Sequence, residues 1–535
     1  MKEKYLWWQS GVIYQVYPRS FQDGNDDGVG DLTGIIKRLP YLEELGVNAI
    51  WLSPIFPSPM ADFGYDISNY VDIHPLFGTL AQFDELLQAV HARGMKLILD
   101  FVPNHTSDQH PWFLESLSSR DNPKRNWYLW RDADENGDVP NNWLAAFGGS
   151  AWEWDHATKQ YYYHAFLKGQ PDLNWRNPEV QRAMLDNMRF WLDRGVDGFR
   201  VDVIWHMIKD KHFRDNPTNA QYESHLPTYD KVIPIYSTDQ PEVHDIIRMM
   251  RALLDEYDQR MMVGEIYLPV KKLVTYYGVN NSGAHLPFNF QLVTLPWKAS
   301  VLGPAIAEYE KYLPSGGWPN WVLGNHDQSR VASRIGIEQA RVAAMLLLTL
   351  RGTPTMYYGD ELGMKDVGIP LNEIKDPQGL NMPDKNLSRD PARTPMPWDD
   401  STFAGFSQSK PWLPLSRDAK QLNVGVLSKQ HSSILSLYKR LLTLRRREPG
   451  LSIGDYAHIF SDHQLLVFLR QYLDDKFLVV LNLTHKPAYF RQDDGGFAGR
   501  VVVSTHTELE GLEISGTILV GADEGFVVKL NEGRA

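Results

Sequence analysis

Cysteine is absent from the 535-residue chain, which excludes disulfide bonds, thiolate metal sites and a cysteine nucleophile. An excess of basic residues is also lacking, because 54 Lys and Arg stand against 66 Asp and Glu, a net charge of −12. Such a chain repels phosphate backbones, so no nucleic-acid partner is expected. The longest apolar stretch, roughly residues 342–350, is far too short to span a bilayer, so no membrane partner is expected.

The first ten residues, MKEKYLWWQS, carry charge and lack the apolar core of a signal peptide. Together with the lack of cysteine, this predicts a cytoplasmic protein. No HExxH, Walker loop or GxGxxG motif occurs, so an organic cofactor, nucleotide hydrolysis and metalloprotease chemistry are not expected. The sequence makes no prediction about the oligomeric state.

Aromatic residues, in contrast, are abundant: 17 Trp, 25 Tyr and 22 Phe make up 12% of the chain. Flat apolar rings can stack on sugar rings, but the filling of a hydrophobic core explains most such rings at least as well. Trp51, Trp191 and Trp321 fall on predicted strands or helices and are expected in the core. The composition alone therefore leaves both interpretations open.

Short apolar segments alternate with amphipathic helical segments, such as residues 32–45, 80–93 and 178–194, over most of the chain. Eight strands that alternate with helices predict an α/β fold, a closed (β/α)8 TIM barrel with its active site at the carboxyl ends of the strands. The predicted strands are residues 12–17, 49–53, 97–101, 198–202, 262–266, 286–290, 321–324 and 355–358.

Two regions break this alternation. Residues 104–172 have little helical periodicity and are rich in Trp, Asn, Asp and Gly, which predicts an inserted lid domain (domain B) after the third strand. After a helix at 433–447, only strand patterns follow, which predicts a C-terminal antiparallel β-sandwich. The predicted division is a barrel of residues 1–103 and 173–452, an inserted domain of residues 104–172 and a C-terminal domain of residues 453–535.

Three carboxylates follow apolar segments that would otherwise be interior strands: Asp202, Glu265 and Asp327. A charge at such a place costs several kcal/mol unless it lies at a barrel mouth with partners, and Arg200 and His326 are adjacent candidates. Cleavage of a glycosidic bond with retention needs two carboxyl groups about 5–5.5 Å apart, which neighbouring strands can supply. Each acid taken alone could equally be a solvated loop residue or a structural ion pair.

Four motifs stand in order at predicted strand ends: DFVPNH (100–105), GFRVD (198–202), GEIY (264–267) and NHD (325–327). They resemble the four signature regions of the α-amylase family, glycoside hydrolase family 13. QPDLN (170–174) resembles the fifth region in the oligo-1,6-glucosidase and α-glucosidase branch, and the resemblance extends over nearly the whole chain. The sequence is most similar to bacterial α-glucosidases of about this length.

The resemblance implies that Asp202 is the nucleophile, that Glu265 is the general acid and base, and that Asp327 holds the ring hydroxyls. Arg200 is expected to lower the pKa of Asp202, which a nucleophile needs. The apolar residues on either side of Glu265 are expected to raise its pKa, which a general acid needs.

The resemblance also implies a pocket for one terminal glucose. Asp62 and Arg393 are expected to pair over the non-reducing end of the sugar, while Tyr65 stacks on its face. This pair would block one end of the cleft and make the enzyme exo-acting. Further residues are expected to contact the sugar or line the pocket, namely His105, Phe147, Phe166, Arg200 and His326.

Val203 follows the predicted nucleophile, and in the family a Val there goes with acceptance of α-1,6 linkages. The expected activity is that of a retaining α-glucosidase on short oligosaccharides, with α-1,6 bonds favoured and α-1,4, α-1,1 or sucrose-like bonds open. The main alternative is a transferase or isomerase of the trehalose synthase or sucrose isomerase type. A non-catalytic transporter heavy chain and an endo-acting amylase are further alternatives. The first would lack catalytic acids, and the second would lack the Asp62–Arg393 block.

The segment SFQDGNDDGVGDL places oxygen ligands at alternate positions around a tight Gly turn, which suits a hard cation. Position 12 of the comparable EF-hand loop is Gly34 instead of Glu, so the segment is no EF-hand. The family resemblance supports a structural Ca²⁺ or Mg²⁺, although a turn without metal remains an alternative. The expected ligands are Asp23, Asn25, Asp27, the Val29 carbonyl and Asp31.

Overall fold

The computed structural model describes residues 5–491 and 497–531 of the chain. Its central element is an eight-stranded parallel sheet, and all eight predicted barrel strands are confirmed in position. In spatial order the seventh and eighth strands are followed by the first to the sixth, and a parallel bridge between Asn289 and Trp321 joins the two edges. The barrel strands are Ile13–Val16, Ala49–Leu52, Lys96–Phe101, Gly198–Val201, Met261–Gly264, Leu286–Pro287, Asn320–Val322 and Thr353–Tyr357.

Along each strand, successive side chains point alternately into the barrel interior and toward the surrounding helices. Ile13, Ala49 and Trp51 belong to an interior cluster with residues of the other strands. Tyr14 and Ile50, which point the other way, belong to the large core that includes the helices. Both faces of the sheet are therefore dry, which explains why its strands read as continuous apolar segments.

The barrel helices are bounded by local capping signals. The Asn177 side chain accepts a hydrogen bond from the backbone of Glu179, Pro178 occupies the first helical position, and Gly195 ends the helix with φ +104°. The longer helices outside the sheet are Leu32–Leu45, Leu80–Ala92, Pro178–Arg194, Val243–Leu254, Ala299–Tyr312, Ile337–Thr349 and Ile434–Arg447. Shorter ones are Trp7–Ser10, Pro18–Phe21, Val270–Leu273, Gln291–Thr294, Val331–Ile335, Pro377–Asn381, Val424–Leu427 and Pro449–Ser452.

Between the third barrel strand and the barrel helix Pro178–Arg194, the chain forms one α-helix, the 3₁₀ turn Arg125–Trp127 and a three-stranded antiparallel sheet. The helix is Pro111–Ser118, where little helical periodicity was expected. In spatial order the strands are Trp130–Arg131, Gln160–Tyr163 and Trp152–Asp155. Rings such as Trp143 and Trp152 build a small core of this sheet, so part of the aromatic excess is structural.

The C-terminal region is an antiparallel β-sandwich of a six-stranded and a two-stranded sheet within the described residues. Leu465 and Val467 face the smaller sheet, while Leu466 and Phe468 face the barrel helices. In spatial order the large sheet comprises Asp455–Ser461, Leu465–Tyr472, Asp475–Asn482, Gly525–Leu530, Ala498–Ser504 and Glu513–Ser515, and the small sheet comprises Ala488–Phe490 and Ile518–Val520. The predicted boundaries at residues 103, 172 and 452 stay predictions.

The aromatic residues expected in the core are buried there. Trp51 is 2% exposed, and Trp191 and Trp321 are fully buried. Within residues 5–491 and 497–531, no helix combines the length and the apolar character needed to cross a membrane.

Candidate active site

A cavity of about 280 Å³ lies at the carboxyl ends of the barrel strands, where the sequence places its polar motifs. The three predicted catalytic acids all line it, although they are more than 60 residues apart along the chain. The other lining residues are Asp62, Tyr65, His105, Ala146, Phe147, Phe166, Val203, Trp205, His206, Tyr229, Tyr267, His326, Gln328, Gln378 and Arg389.

Arg200 is the centre of a buried cluster of carboxylates beneath this cavity. Its Nη1 donates at 2.8 Å both to Oδ1 of Asp202 and to Oδ1 of Asp100, and its Nη2 lies 2.8 Å from Oε2 of Glu265. Asp202 therefore accepts a hydrogen bond from one arm of the guanidinium and Glu265 forms an ion pair with the other, which holds the two acids side by side at the mouth of the barrel. Asp100 also accepts hydrogen bonds from Tyr65 Oη at 2.9 Å and from Trp51 Nε1 at 3.2 Å.

Of the two acids in this cluster whose pKa shifts the sequence predicts, Asp202 differs from the expectation. Burial raises the pKa of Asp202, and the nearby Glu265 raises it further, so the lowering effect of Arg200 is outweighed. Burial likewise raises the pKa of Glu265, as expected for a proton donor. The net lowering predicted for Asp202 is thus wrong, because one guanidinium is shared among three buried carboxyl groups, which titrate as a set.

The backbone after Asp202 is strained in a way that serves the cluster. Val203 has φ 36° and ψ 47°, a left-handed conformation that is costly for a β-branched residue. In this conformation its N–H donates to Oε2 of Glu265 at 3.0 Å. The residue therefore fixes the neighbouring carboxylate through its backbone and lines the cavity with its side chain.

Asp327 is held by two arginines. Its Oδ1 accepts hydrogen bonds from Arg389 Nη1 at 3.1 Å and from Arg393 Nη2 at 3.0 Å. Burial alone would raise the pKa of Asp327, but the basic side chains around it hold that pKa below its usual range. Asp327 is therefore ionised at neutral pH, and its second oxygen lies 3.3 Å from His326 Nε2.

The predicted pair of Asp62 and Arg393 is wrong. Asp62 Oδ1 lies 2.6 Å from Nη2 of Arg389, whereas Arg393 donates to Asp327 and to the backbone carbonyl of His326. The physical reason is the short 3₁₀ turn Asp390–Ala392, which separates the two arginines and directs the second one beneath the cavity. Arg393 is only 1% exposed, and burial raises the pKa of Asp62 to about 6 despite its partner.

The imidazole rings of the site are fixed by stacking and hydrogen bonds. His326 stacks on Tyr65 with ring centroids 5.2 Å apart, and its Nδ1 lies 2.7 Å from Gln15 Nε2. His105 Nε2 lies 3.1 Å from the Tyr65 carbonyl, and burial lowers the pKa of His105 to about 4. Both rings are neutral at neutral pH, since burial also lowers the pKa of His326 well below its usual range.

The inserted region reaches the cavity with two rings and two polar anchors. Phe147 and Phe166 both line the cavity and meet edge to face at 5.6 Å. Gln170 Nε2 donates to Asp62 at 3.2 Å. Asp172 forms a buried ion pair with Lys209, which also donates to Asn104 at 2.7 Å. These contacts join the QPDLN motif to the ends of the third and fourth strands.

Several residues of the site were not singled out from the sequence. Arg389 is the most important, and the signal that could have revealed it is a second arginine four positions before Arg393. Asp376 fixes Arg389 with hydrogen bonds from Nε at 3.0 Å and Nη2 at 2.6 Å. Tyr229, in the 3₁₀ turn Thr228–Lys231, and Gln378, in the short helix Pro377–Asn381, also line the cavity but lie outside the motifs and carry no sequence signal.

The predicted metal loop is compact, and none of residues 23–31 lines the cavity. Asp23 Oδ1 accepts the backbone N–H groups of Asn25 and Asp26 at 3.0 and 2.8 Å, and Asp31 caps the helix Leu32–Leu45. Across the described part of the chain, no group of three or more His, Cys, Asp or Glu side chains is arranged to hold a metal ion. A cation in this loop would therefore need the Asn25 amide and the Val29 carbonyl as well.

Comparison with known proteins agrees with this geometry. Residues 15–454 match the family described as alpha-amylase, the alpha amylase catalytic domain, so the chain belongs to that family. It is 41% identical to a probable alpha-glucosidase of Rhizobium meliloti (strain 1021) over 498 residues, covering 90% of each chain. It is 39% identical to an oligo-1,6-glucosidase of Parageobacillus thermoglucosidasius over 529 residues, covering 91% of this chain and 92% of the relative.

Among solved structures, the alpha-glucosyl transfer enzyme XgtA is similar, with a TM-score of 0.93 and 38% sequence identity. The superposition covers 99% of this chain and 100% of that one. The isomaltulose synthase PalI of Klebsiella sp. LX3 has a TM-score of 0.92 and 33% identity, with 99% and 100% coverage.

Proposed function

We propose that the protein is a retaining, exo-acting α-glucosidase that removes terminal α-linked glucose from short oligosaccharides. The observation that carries this proposal is the pair of carboxyl groups of Asp202 and Glu265, bridged by Arg200 within one small cavity. Two adjacent carboxyl groups suit the double-displacement reaction, which uses a short separation without room for an intervening water. The names of the relatives support the same activity.

In the first step, a carboxylate oxygen of Asp202 attacks the anomeric carbon and forms a β-glucosyl ester. Glu265 gives its proton to the leaving glycosidic oxygen, so that the second sugar departs as a neutral alcohol. In the second step, Glu265 takes a proton from water, and the resulting hydroxide opens the ester from the α face. Two inversions give an α-glucose product. Ionised Asp327 holds sugar hydroxyls and stabilises the positive charge that develops at the ring.

We attribute the exo-action to the charged pair Asp62–Arg389 in the wall of the cavity. The Asp62–Arg389 pair, held from behind by Asp376, places charged donors and acceptors where the non-reducing end of a terminal glucose would lie. A cavity of about 280 Å³ is at the small end of ligand pockets, which suits a single sugar ring. Tyr65 supplies a stacking face, and further contacts come from the side chains of His105, Phe147, Phe166 and His326.

The preference for α-1,6 bonds rests on Val203, whose side chain borders the cavity beside the reacting carboxylates. A glucosyl transferase or isomerase is the second candidate, because two structures of similar fold are named as an alpha-glucosyl transfer enzyme and an isomaltulose synthase. The two activities share the glucosyl ester and differ in whether water or another sugar hydroxyl resolves it. A cytoplasmic location is also proposed, since a chain without cysteine suits a reducing compartment.

Incubation with isomaltose, maltose, trehalose and sucrose, followed by proton NMR, tests these proposals together. We expect α-glucose as the first product, released fastest from isomaltose. β-Glucose as the first product would contradict the double displacement. New disaccharides in place of free glucose would instead favour the transferase or isomerase.

We propose further that the loop of residues 23–31 binds a structural Ca²⁺ or Mg²⁺. Its candidate ligands are all oxygens, as hard cations prefer, and they alternate along a loop that precedes a barrel helix. They are Asp23, Asn25, Asp27, Val29 and Asp31. Because no residue of the loop lines the cavity, the ion would contribute to stability and not to the chemical steps.

Removal of the cation is expected to lower the thermal unfolding temperature. At a free cation concentration of about 100 times Kd, binding stabilises the native state by about 2.7 kcal/mol. For a chain of this length that corresponds to a shift of roughly 2–3 °C. Calorimetry of the protein in EDTA and in excess Ca²⁺ or Mg²⁺ measures this shift of the unfolding temperature. Asp27→Asn should abolish the response, whereas Asp186→Asn, on an outer helix, should keep it. An equal unfolding temperature in EDTA and in cation would overturn the proposal.

A further inference from the structure

A second cleft lies on the outside of the inserted region and shares no lining residue with the active-site cavity. Its volume is about 580 Å³, within the range of small-molecule sites. Basic side chains dominate it: Arg120, Arg125, Arg131, Arg176 and Lys211 line the cleft, and Asp121 is the one acidic lining residue among the residues the structure describes. In a chain where acids outnumber bases by 66 to 54, this local reversal of charge needs an explanation.

Arg125 forms the floor of the cleft and is 8% exposed. Its terminal nitrogens donate to neutral groups only: to the Ser116 carbonyl at 2.9 Å, and at 2.8 Å each to Thr158 Oγ1 and Gln160 Oε1. Its Nε is buried and, within the described residues, has no hydrogen-bond partner. A buried guanidinium without a carboxylate in contact is costly, and burial lowers the pKa of Arg125 to about 10.

The cations at the rim differ in how far they are neutralised. Arg120 lies 3.1 Å from Asp132, and Arg176 lies 3.0 Å from Glu242. Arg131 and Lys211 form no ion pair among the residues that the structure describes. Arg131 instead lies over the Phe213 ring at 3.7 Å, which fixes its guanidinium at the edge of the cleft. After the paired charges are removed from the count, the cleft still carries an excess of positive charge.

Stacked rings also decide what kind of ligand fits. The guanidinium of Arg125 covers the Trp130 ring at 3.3 Å, and that of Arg131 covers Phe213, so these aromatic faces are occupied. A neutral sugar would find no free stacking surface on them, whereas an anion would meet planar guanidinium forks. Neutral hydrogen-bonding side chains, Asn122 and Asn174, complete the wall.

We propose that this cleft binds a small phosphate-bearing molecule, with Arg131 and Lys211 as the phosphate contacts and Arg125 as a buried positive charge beside them. Guanidinium forks match phosphate oxygens with paired hydrogen bonds, and a doubly charged group suits several converging cations. The Asn side chains would bond hydroxyl groups of the same molecule. The proposal concerns a site separate from the catalytic one and does not depend on the proposed glucosidase activity.

Isothermal titration of the full-length protein at fixed ionic strength tests the site, with inorganic phosphate, pyrophosphate and glucose 6-phosphate as probes. We expect saturable binding and a Kd at least tenfold weaker in Arg131→Gln/Lys211→Gln. Arg417→Gln/Lys420→Gln, two exposed cations removed elsewhere, is the matched control and should bind as the unaltered protein does. A preference for glucose 6-phosphate over inorganic phosphate would support a role of the Asn side chains.

Three outcomes would overturn the proposal, the third of them in the citrate comparison below. One is an equal Kd for the cleft variant, the control variant and the unaltered protein. The second is the absence of saturable binding by the unaltered protein for all three probes. Circular dichroism checks that the variants are folded, and Lys211→Gln alone serves if the double variant is not. Citrate is a further comparison, because equal binding of citrate and pyrophosphate would contradict recognition of phosphate.

Discussion

Asp202→Asn is expected to lower kcat/KM on isomaltose and maltose by a factor on the order of 10⁴ or more, while the protein folds normally. The amide has the shape of the carboxyl group but cannot attack the anomeric carbon to form the glucosyl ester. Arg200 keeps its contacts with Asp100 and Glu265, so the remaining site stays organised. Steady-state kinetics with both disaccharides measures the loss.

The stability of this variant provides an independent check. Because the pKa of Asp202 is raised in the folded state, this group stabilises the folded protein most at pH values below the ordinary pKa of aspartate. This stabilisation is lost as the pH rises through the folded-state pKa. Toward neutral pH this buried carboxyl group therefore lowers the free energy of unfolding. The Asn variant should unfold at the same temperature as the unaltered protein or higher.

Asp186→Asn is the matched control for this experiment, because Asp186 is exposed on the helix Pro178–Arg194. It should retain full activity. If Asp202→Asn kept more than a few per cent of the activity, Asp202 would not be the nucleophile. If it lost activity together with its folded structure, the loss would report the fold and not the chemistry, and the calorimetric result separates these cases.

The barrel and the place of the three candidate acids at its mouth could be predicted because their signals are local. An interior parallel strand reads as a short apolar segment, and a carboxylate at its end breaks the pattern visibly, as in GFRVD and NHD. Closure then follows from the number of strands, and it brings residues such as Asp202 and Asp327 to one mouth. The sequence could thus predict the positions of these side chains without any knowledge of distances.

The partner of Asp62 could not be predicted in the same way. Arg389 and Arg393 stand four residues apart in a segment outside the barrel strands, and both approach Asp327. Only the path of the turn Asp390–Ala392 decides which of them reaches Asp62. Choices between two like charges on one irregular segment depend on backbone geometry that no periodicity encodes.

The pKa of Asp202 illustrates a second limit. A sequence shows that an arginine precedes the acid by two positions on one strand face, but it does not show how many carboxylates that arginine serves. Asp100 and Glu265 come from other strands and share Arg200, so the pKa of Asp202 is raised instead of lowered.

Edge strands show a third limit. The strand Asp455–Ser461 is mostly exposed and lacks the apolar pattern that predicts a strand elsewhere in the C-terminal region.

Glu265→Gln is expected to lower kcat/KM much more for substrates with a poor leaving group than for substrates with a good one. Glutamine keeps the size of the side chain and the position between Arg200 and the Val203 N–H, but it supplies no proton. For isomaltose, whose leaving alcohol needs protonation, kcat/KM should fall by about 10²–10⁴. For 4-nitrophenyl α-glucoside, whose phenolate leaves unaided, kcat/KM should fall far less. Glu256→Gln, an exposed residue on the outer surface, is the matched control and should change neither value.

The same variant tests the second half of the reaction and the pKa assignment. Without a base to activate water, the glucosyl ester should persist, and azide, which needs no deprotonation, should raise kcat on 4-nitrophenyl α-glucoside and yield α-glucosyl azide. In the unaltered enzyme, kcat/KM should fall as pH rises through the raised pKa of the carboxyl cluster, because the acid must be protonated to donate. That alkaline limb should disappear in Glu265→Gln. β-Glucosyl azide, or an equal loss on both substrates with an unchanged pH profile, would show that Glu265 is not the acid and base, since neither result can arise from removal of a proton donor beside an intact nucleophile.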